Sequence, residues 1–230
     1  MAIFLLTFLP GLLILAYFIF SDRFKEPKKV IITTFILGVV IGYPAGYLNY
    51  YIEQIFSNGN IINDALVGGA FAGALVEEIL KFLILYLYIF KHKEFNEPMD
   101  AIVYGIVVSL GFALNENYDY VYNYAEQFNV TSWEIALARS YSAIPMHAAC
   151  GVIMGFYFGQ NYFIEQGRSF SLALIVPIII HGSYNFLLSF NGIYPQAIVV
   201  LAIIFCFFLH RVAKQHQSNK NKEHEDKLTK

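Results

Sequence analysis

Seven apolar runs, each long enough to cross about 30 Å of hydrocarbon as a helix of roughly 20 residues, dominate this chain. They fall at 2–20, 30–51, 64–90, 100–118, 139–160, 170–190 and 194–212. No water satisfies backbone groups inside a bilayer, so segments of this length must close their own hydrogen bonds as helices. The expected fold is an all-α, polytopic membrane bundle of about seven transmembrane helices. Composition agrees, with 57% of positions hydrophobic and 14% charged, where a soluble domain carries about 25% charge. The first run lacks a basic leader and is followed by Arg23, Lys25, Lys28 and Lys29 instead of a small-residue cleavage site. It reads as a retained span and not as a signal peptide.

Basic residues orient the bundle. Besides those four, the 91–99 loop holds Lys91 and Lys93, the 161–169 loop holds Arg168, and the segment after the last span is rich in lysine. The alternate connections, 52–63, 119–138 and 191–193, hold no Lys or Arg up to Arg139. The positive-inside rule then places the N-terminus outside and the C-terminus in the cytoplasm. Residues 1–217 read as one transmembrane domain, and 218–230 as a charged, unstructured cytoplasmic tail. The net charge of −2, with no interleaved arginine and aromatic residues, argues against a nucleic-acid partner. The bilayer itself is the expected surrounding, and Cys150 and Cys206, both within apolar runs, read as small hydrophobes.

Charge at the centre of a membrane costs a few kcal/mol even on lenient scales, so ionisable residues within spans mark function. They are Glu77, Glu78 and Lys81 in span three, Glu116 in span four, His147 in span five, and His181 with Asn185 in span six. Lys81 lies four residues from Glu77 and three from Glu78, so it can reach either and leaves one acid without its own cation. Gly69 and Gly73 continue the Glu77–Lys81 register as a smooth ridge for a neighbouring helix. His147, Gly151, Gly155 and Gly159 repeat the device in span five, where Pro145 is placed to kink the helix. Helical rise puts all these groups between the midplane and the outer face, so one shared cavity is expected. Lys81 and Arg139 each need a nearby acid.

Three chemistries suit this set. A carboxylate can activate water for peptide hydrolysis, with a histidine and an amide stabilising the oxyanion. A zinc ion held by Glu78, Glu116, His147 and His181 can assist hydrolysis, although the HExxH pattern is absent. Paired acids and histidines can also move protons, but a transporter usually shows internal repeats and none is found. Ser109, Ser140 and Ser142 have no adjacent general base in sequence, which disfavours a serine nucleophile.

Four motifs stand in order on successive spans: EExxK at Glu77–Lys81, FxxxE at Phe112–Glu116 continuing to Tyr120, HxxxG at His147–Gly151, and HxxxN at His181–Asn185. This pattern resembles the PrsW family of intramembrane proteases and, more distantly, the CAAX prenyl endopeptidases and bacteriocin-processing membrane proteases. The motif core covers about 64–190. The resemblance implies a bacterial cell-membrane peptidase making the first, extracytoplasmic cut in a single-pass membrane anti-sigma factor, with a second intramembrane protease completing release. By the same resemblance Glu77 or Glu78 is the catalytic glutamate, Lys81 its basic partner, Glu116 the second-motif acid, and His181 with Asn185 the oxyanion-side pair. Phe112 and Tyr120 support the site, and His147 belongs to it without an assigned role. The expected mechanism uses Glu78, held by Lys81, as base, and Glu116 to orient the water. It needs no cofactor, zinc being the alternative. The chain departs from the pattern at Asn185, where PrsW members often have Asp, and from the prenyl enzymes at Glu116, where they have His.

Overall fold

A computed structural model describes residues 1–165, 170–190 and 192–228 of the chain. Arg168, part of the basic-loop count above, lies outside the described residues. Among the described residues every regular element is helical. Helix α1 is Ala2–Ser21 and α2 is Lys28–Phe56. Helix α3 runs over 61–89, with Ile61–Ala65 and Val76–Ile84 in α geometry and Leu66–Leu75 and Leu85–Ile89 in π geometry. Then come α4 (Pro98–Tyr118), α5 (Ser132–Tyr141), α6 (Ala143–Gln160), α7 (Phe170–Leu188) and α8 (Tyr194–Leu228).

Among the described residues, six helical stretches are long and apolar enough to cross a membrane: Ala2–Ser21, Lys28–Phe56, Pro98–Gln127, Ser132–Ile164, Ser171–Leu188 and Tyr194–Gln217. The remaining expected span is α3, which stands apart because it carries three clustered charged residues, Glu77, Glu78 and Lys81. The fold is therefore the expected polytopic helical bundle. The interruption expected at Pro145 is present: Ser132–Ile164 is one helical stretch whose α geometry breaks at Ser142, with φ −122° and ψ −73°, three residues before a proline that has no N–H to donate. One detail differs from the sequence reading. The final helix runs on to Leu228, through the tail read as unstructured, because no Pro or Gly after Pro195 stops propagation once the apolar part has formed the helix.

Helix α4 is the central rod. Every residue from Ala101 to Leu114 is buried, as expected for a helix apolar on all faces and surrounded by others. Glycines set how closely its neighbours approach. A Cβ at Gly151 on α6 would lie 2.6 Å from the Gly105 carbonyl oxygen and 2.9 Å from Ser109 Oγ, and one at Gly159 would lie 2.8 Å from the Pro98 carbonyl oxygen. The stripe below His147 is thus the seam that locks α6 to α4. Helices α1, α2 and α8 present large exposed apolar side chains such as Phe4, Ile36 and Phe207, suited to lipid contact.

Gly151→Leu forces this seam apart and is expected to destabilise the protein by about 2–3 kcal/mol, read as a lower thermal-unfolding midpoint of the detergent-purified chain.

Candidate active site

The polar groups that the sequence spreads over four spans converge into one connected cluster. Helix α7 meets α3 across small residues: a Cβ at Gly69 would lie 2.6 Å from Phe186 N, one at Gly73 2.7 Å from Asn185 Nδ2, and one at Gly182 3.2 Å from Ala70 Cα. The Gly69–Gly73 ridge therefore brings the HxxxN face against the two glutamates. The Gly151 seam carries His147 to the same point from α6.

Lys81 Nζ donates to Glu78 Oε1 at 2.9 Å and lies 3.9 Å from Glu77 Oε2. Both Lys81 and Glu78 are wholly buried. His181 Nδ1 lies 2.8 Å from the same Glu78 oxygen, and a carboxylate only accepts, so Nδ1 carries the proton and Nε2 presents a lone pair. Asn185 Nδ2 sits 3.3 Å from that Nε2 and donates to it. His147 Nε2 lies 2.8 Å from Glu116 Oε2, which by the same reasoning makes Nε2 the donor and leaves Nδ1 to accept from Lys81 Nζ at 3.0 Å. The two imidazole rings stand edge to face, 4.8 Å between centroids.

Arg139, which the sequence marked as needing a partner, finds it in Glu116. Its Nη2 donates to Glu116 Oε2 at 2.6 Å and its Nε to Asn117 Oδ1 at 2.6 Å. Asn117 in turn donates to the Thr7 carbonyl of α1. The Tyr120 ring stacks under the guanidinium at 4.1 Å, and the Phe112 ring faces Lys81 Nζ at 4.3 Å. Phe112 and Tyr120 are thus the aromatic supports of the two cations.

An unbroken chain of contacts runs Arg139–Glu116–His147–Lys81–Glu78–His181–Asn185. Glu77 stands beside it. Its Oε2 is buried without a hydrogen-bond partner and lies 3.9 Å from His181 Nε2. Glu78 Oε2 is also unpartnered, but Glu78 Oε1 is fixed by two strong donors, whereas Glu77 has no donor of that kind. One residue escaped the sequence reading. Asn49 of α2 lies beside Glu77 Oε1, 3.4 Å from it; in its better-satisfied amide orientation its nitrogen donates to the Ala45 carbonyl at 3.2 Å and to the Ala72 carbonyl. No motif signals Asn49; a polar residue inside a long apolar helix was the available hint. Ser109, Ser140 and Ser142 play other parts: Ser140 and Ser142 donate to backbone carbonyls of α5, at Leu137 and Ala138, and Ser109 Oγ has no hydrogen-bond partner.

Comparison with known proteins fixes the class. Residues 26–210 match the family model described as PrsW family intramembrane metalloprotease. The chain is 33% identical over 213 residues to "Protease PrsW" of Bacillus subtilis (strain 168), covering 91% of this chain and 93% of that protein. It is 34% identical to the protein of that name from Geobacillus kaustophilus over 182 residues (78% and 76%), and 29% identical to that from Clostridioides difficile over 218 residues (91% and 87%). No solved structure matches. A multi-pass helical bundle with this kinship is a membrane-embedded peptidase. More particularly, the chain belongs to the PrsW family.

The family description implies a metal, and the donor set here fits one. Glu77, His147 and His181 each bring one donor atom within 4.8 Å of the others. Each ring also gives its other N–H to a carboxylate, Glu116 or Glu78, the outer contact that metal-binding histidines usually have. A second group, Glu78, Cys150 and His181, converges equally closely; His181 belongs to both, and Glu116, expected as a ligand from sequence, belongs to neither. Lys81 Nζ, at 3.0 Å from His147 Nδ1, already supplies a positive charge at the same place.

Removing that ammonium leaves Glu78 buried with its charge uncompensated. Lys81→Met is therefore expected to destabilise the protein by about 3–5 kcal/mol, and Lys81→Met with Glu78→Gln by much less. Thermal unfolding of the two purified variants checks this. Equal midpoints for the single variant and the wild type would refute the pairing.

Proposed function

We propose that this peptidase makes the first, extracytoplasmic cut in a single-pass membrane anti-sigma factor, in the bacterial cell membrane, and that a second intramembrane protease finishes the release. The N-terminus outside and C-terminus inside, as the basic loops suggest, would put the cluster on the outer half of the bilayer, where such a cut falls.

Glu77 is the general base in this reading. The observation that carries it is the difference between the two adjacent acids: Glu78 Oε1 holds both Lys81 and His181, while Glu77 Oε2 faces the His181 and Asn185 side with no bond to break. Glu77 takes a proton from water, the water attacks the scissile carbonyl, and the new carboxylic acid returns the proton to the leaving amine. Asn185 Nδ2 donates to the oxyanion, held in place by its other N–H on His181 Nε2. An amide suits that task better than a carboxylate, which would repel the developing charge. Glu78 and Lys81 orient His181. Glu116, held by Arg139, is a positioning residue that acts through His147, a role that replaces the water-orienting one expected from sequence.

A metal-dependent version is favoured by the two carboxylate–histidine dyads and the family description. Glu77, His147 and His181 would hold Zn²⁺, which when bound polarises a carbonyl oxygen and makes its water a nucleophile near neutral pH. In that version Glu78 and Glu116 still fix the rings, and Asn185 still donates to the oxyanion.

In cells expressing matched amounts of each chain with a cleavable anti-sigma substrate, Glu77→Gln is expected to abolish the new extracytoplasmic fragment. Asn185→Ala should slow its formation about 10²- to 10³-fold. Unchanged fragments with both variants would end the protease assignment of these residues. For the purified enzyme, activity that survives chelation with no bound zinc supports the metal-free route. Stoichiometric zinc lost in His181→Ala would establish the metal-dependent one.

A further inference from the structure

At the far end of α4 from Glu116 lies a second buried acidic cluster that the proteolytic chemistry does not use. Asp22 and Glu26 come from the α1–α2 connection, Glu97 and Asp100 from the start of α4. Sixteen residues separate Asp100 from Glu116, about 24 Å along a helix, so this is a separate place in the molecule.

Neutral donors satisfy part of it. Gln217 of α8 donates from Nε2 to Asp22 Oδ1 at 3.0 Å and to Glu97 Oε1 at 2.5 Å. The backbone N–H groups of Asn96 and Glu97 donate to Asp100 Oδ2 at 2.8 and 2.9 Å, and the Phe24 N–H to Asp22 Oδ1 at 3.1 Å. Tyr104 donates its hydroxyl to Glu26 Oε2. After these bonds are made, Asp22 Oδ2 remains buried with no hydrogen-bond partner and so does Asp100 Oδ1 as long as both acids are ionised, in residues only 2% and 1% exposed; Asp100 and Glu26 face each other closely enough to share a proton when no cation is bound. One oxygen each from Asp22, Glu26 and Asp100 lies within 4.8 Å of the other two. Among the described residues no lysine, arginine or histidine forms an ion pair with any of the three. The nearby Lys25 turns its ammonium to the backbone carbonyls of Ile19, Phe20 and Asp22 instead.

Carboxylates at such separation, two of them buried and Glu26 half-buried, repel one another and carry a desolvation cost that neutral donors do not remove. A cation relieves both. The ligands are all oxygen, with no imidazole or thiol among them, which selects a hard divalent ion over zinc or copper. We infer that Asp22, Glu26 and Asp100 form a binding site for Mg²⁺ or Ca²⁺ that ties the α1–α2 connection to the start of the central helix, with Gln217 bringing α8 to its edge. The ion has a structural task here: α4 is the rod on which Glu116 is mounted, and its first turn is the point held.

The test uses the full chain purified in detergent, stripped with EDTA and dialysed, with thermal unfolding followed at rising MgCl₂ or CaCl₂. The wild-type midpoint is expected to rise by about 3–5 °C at saturating ion. Asp22→Asn and Asp100→Asn should lose that rise whatever their starting midpoints, which matters because Asp100 also caps α4. His181→Ala should keep it. A wild-type midpoint that does not respond overturns the site, as do equal rises in all variants or a rise that disappears with His181→Ala. A midpoint that responds to pH but to neither ion also overturns it and leaves a carboxyl pair sharing a proton.

Discussion

The buried ion pair between Lys81 and Glu78 is the contact on which the rest of the site depends. An ammonium and a carboxylate with no solvent exposure are tolerable in a membrane helix only if each finds further partners. Lys81 finds His147 and the Phe112 face; Glu78 finds His181. Those partners stand on three other helices, so satisfying one pair of charges fixes the relative placement of α3, α4, α6 and α7. The glycine seams make that placement possible, since the contacts at Gly69, Gly73 and Gly151 leave no room for a Cβ.

The pair also divides labour between adjacent acids. A helix turns about 100° per residue, so Glu77 and Glu78 cannot share one partner equally well. Glu78 becomes part of the frame through Oε1, which holds both Lys81 and His181, while Glu77 Oε2 stays 3.9 Å from Lys81 and from His181 and makes no hydrogen bond to either. The tautomers follow from the same network. Each carboxylate fixes one ring nitrogen as donor, so the remaining lone pairs of His147 and His181 turn inward toward Lys81 and Asn185. That inward convergence makes the cluster fit either a carboxylate-activated water or a bound metal, and it explains why the choice between them turns on Lys81.

Much of the fold was legible in the sequence because hydrocarbon thickness leaves few options for an apolar run. The members of the site were legible too, since intramembrane charge is too costly to be incidental; Lys81 and Arg139 each have the acid that the sequence demanded. Pairing was less legible. Spacing allowed Lys81 to reach Glu77 or Glu78, and only the packing of α7 on α3, which brings His181 to Glu78, separates them. Asn49 was invisible because it belongs to no motif, and its relevance arises from α2 crossing α3. The π turns around Gly68–Gly73 likewise reflect close helix approach and not local propensity.

The central claim is that Glu77 works on substrate while Glu78 holds the frame. Purified Glu77→Gln and Glu78→Gln compared side by side for thermal unfolding and for turnover of a reconstituted single-pass substrate would test it most directly. The account predicts that Glu77→Gln keeps a midpoint near the wild type and loses turnover, while Glu78→Gln unfolds at distinctly lower temperature. Turnover retained by Glu77→Gln, together with a stable but inactive Glu78→Gln, would contradict it and return the base to Glu78.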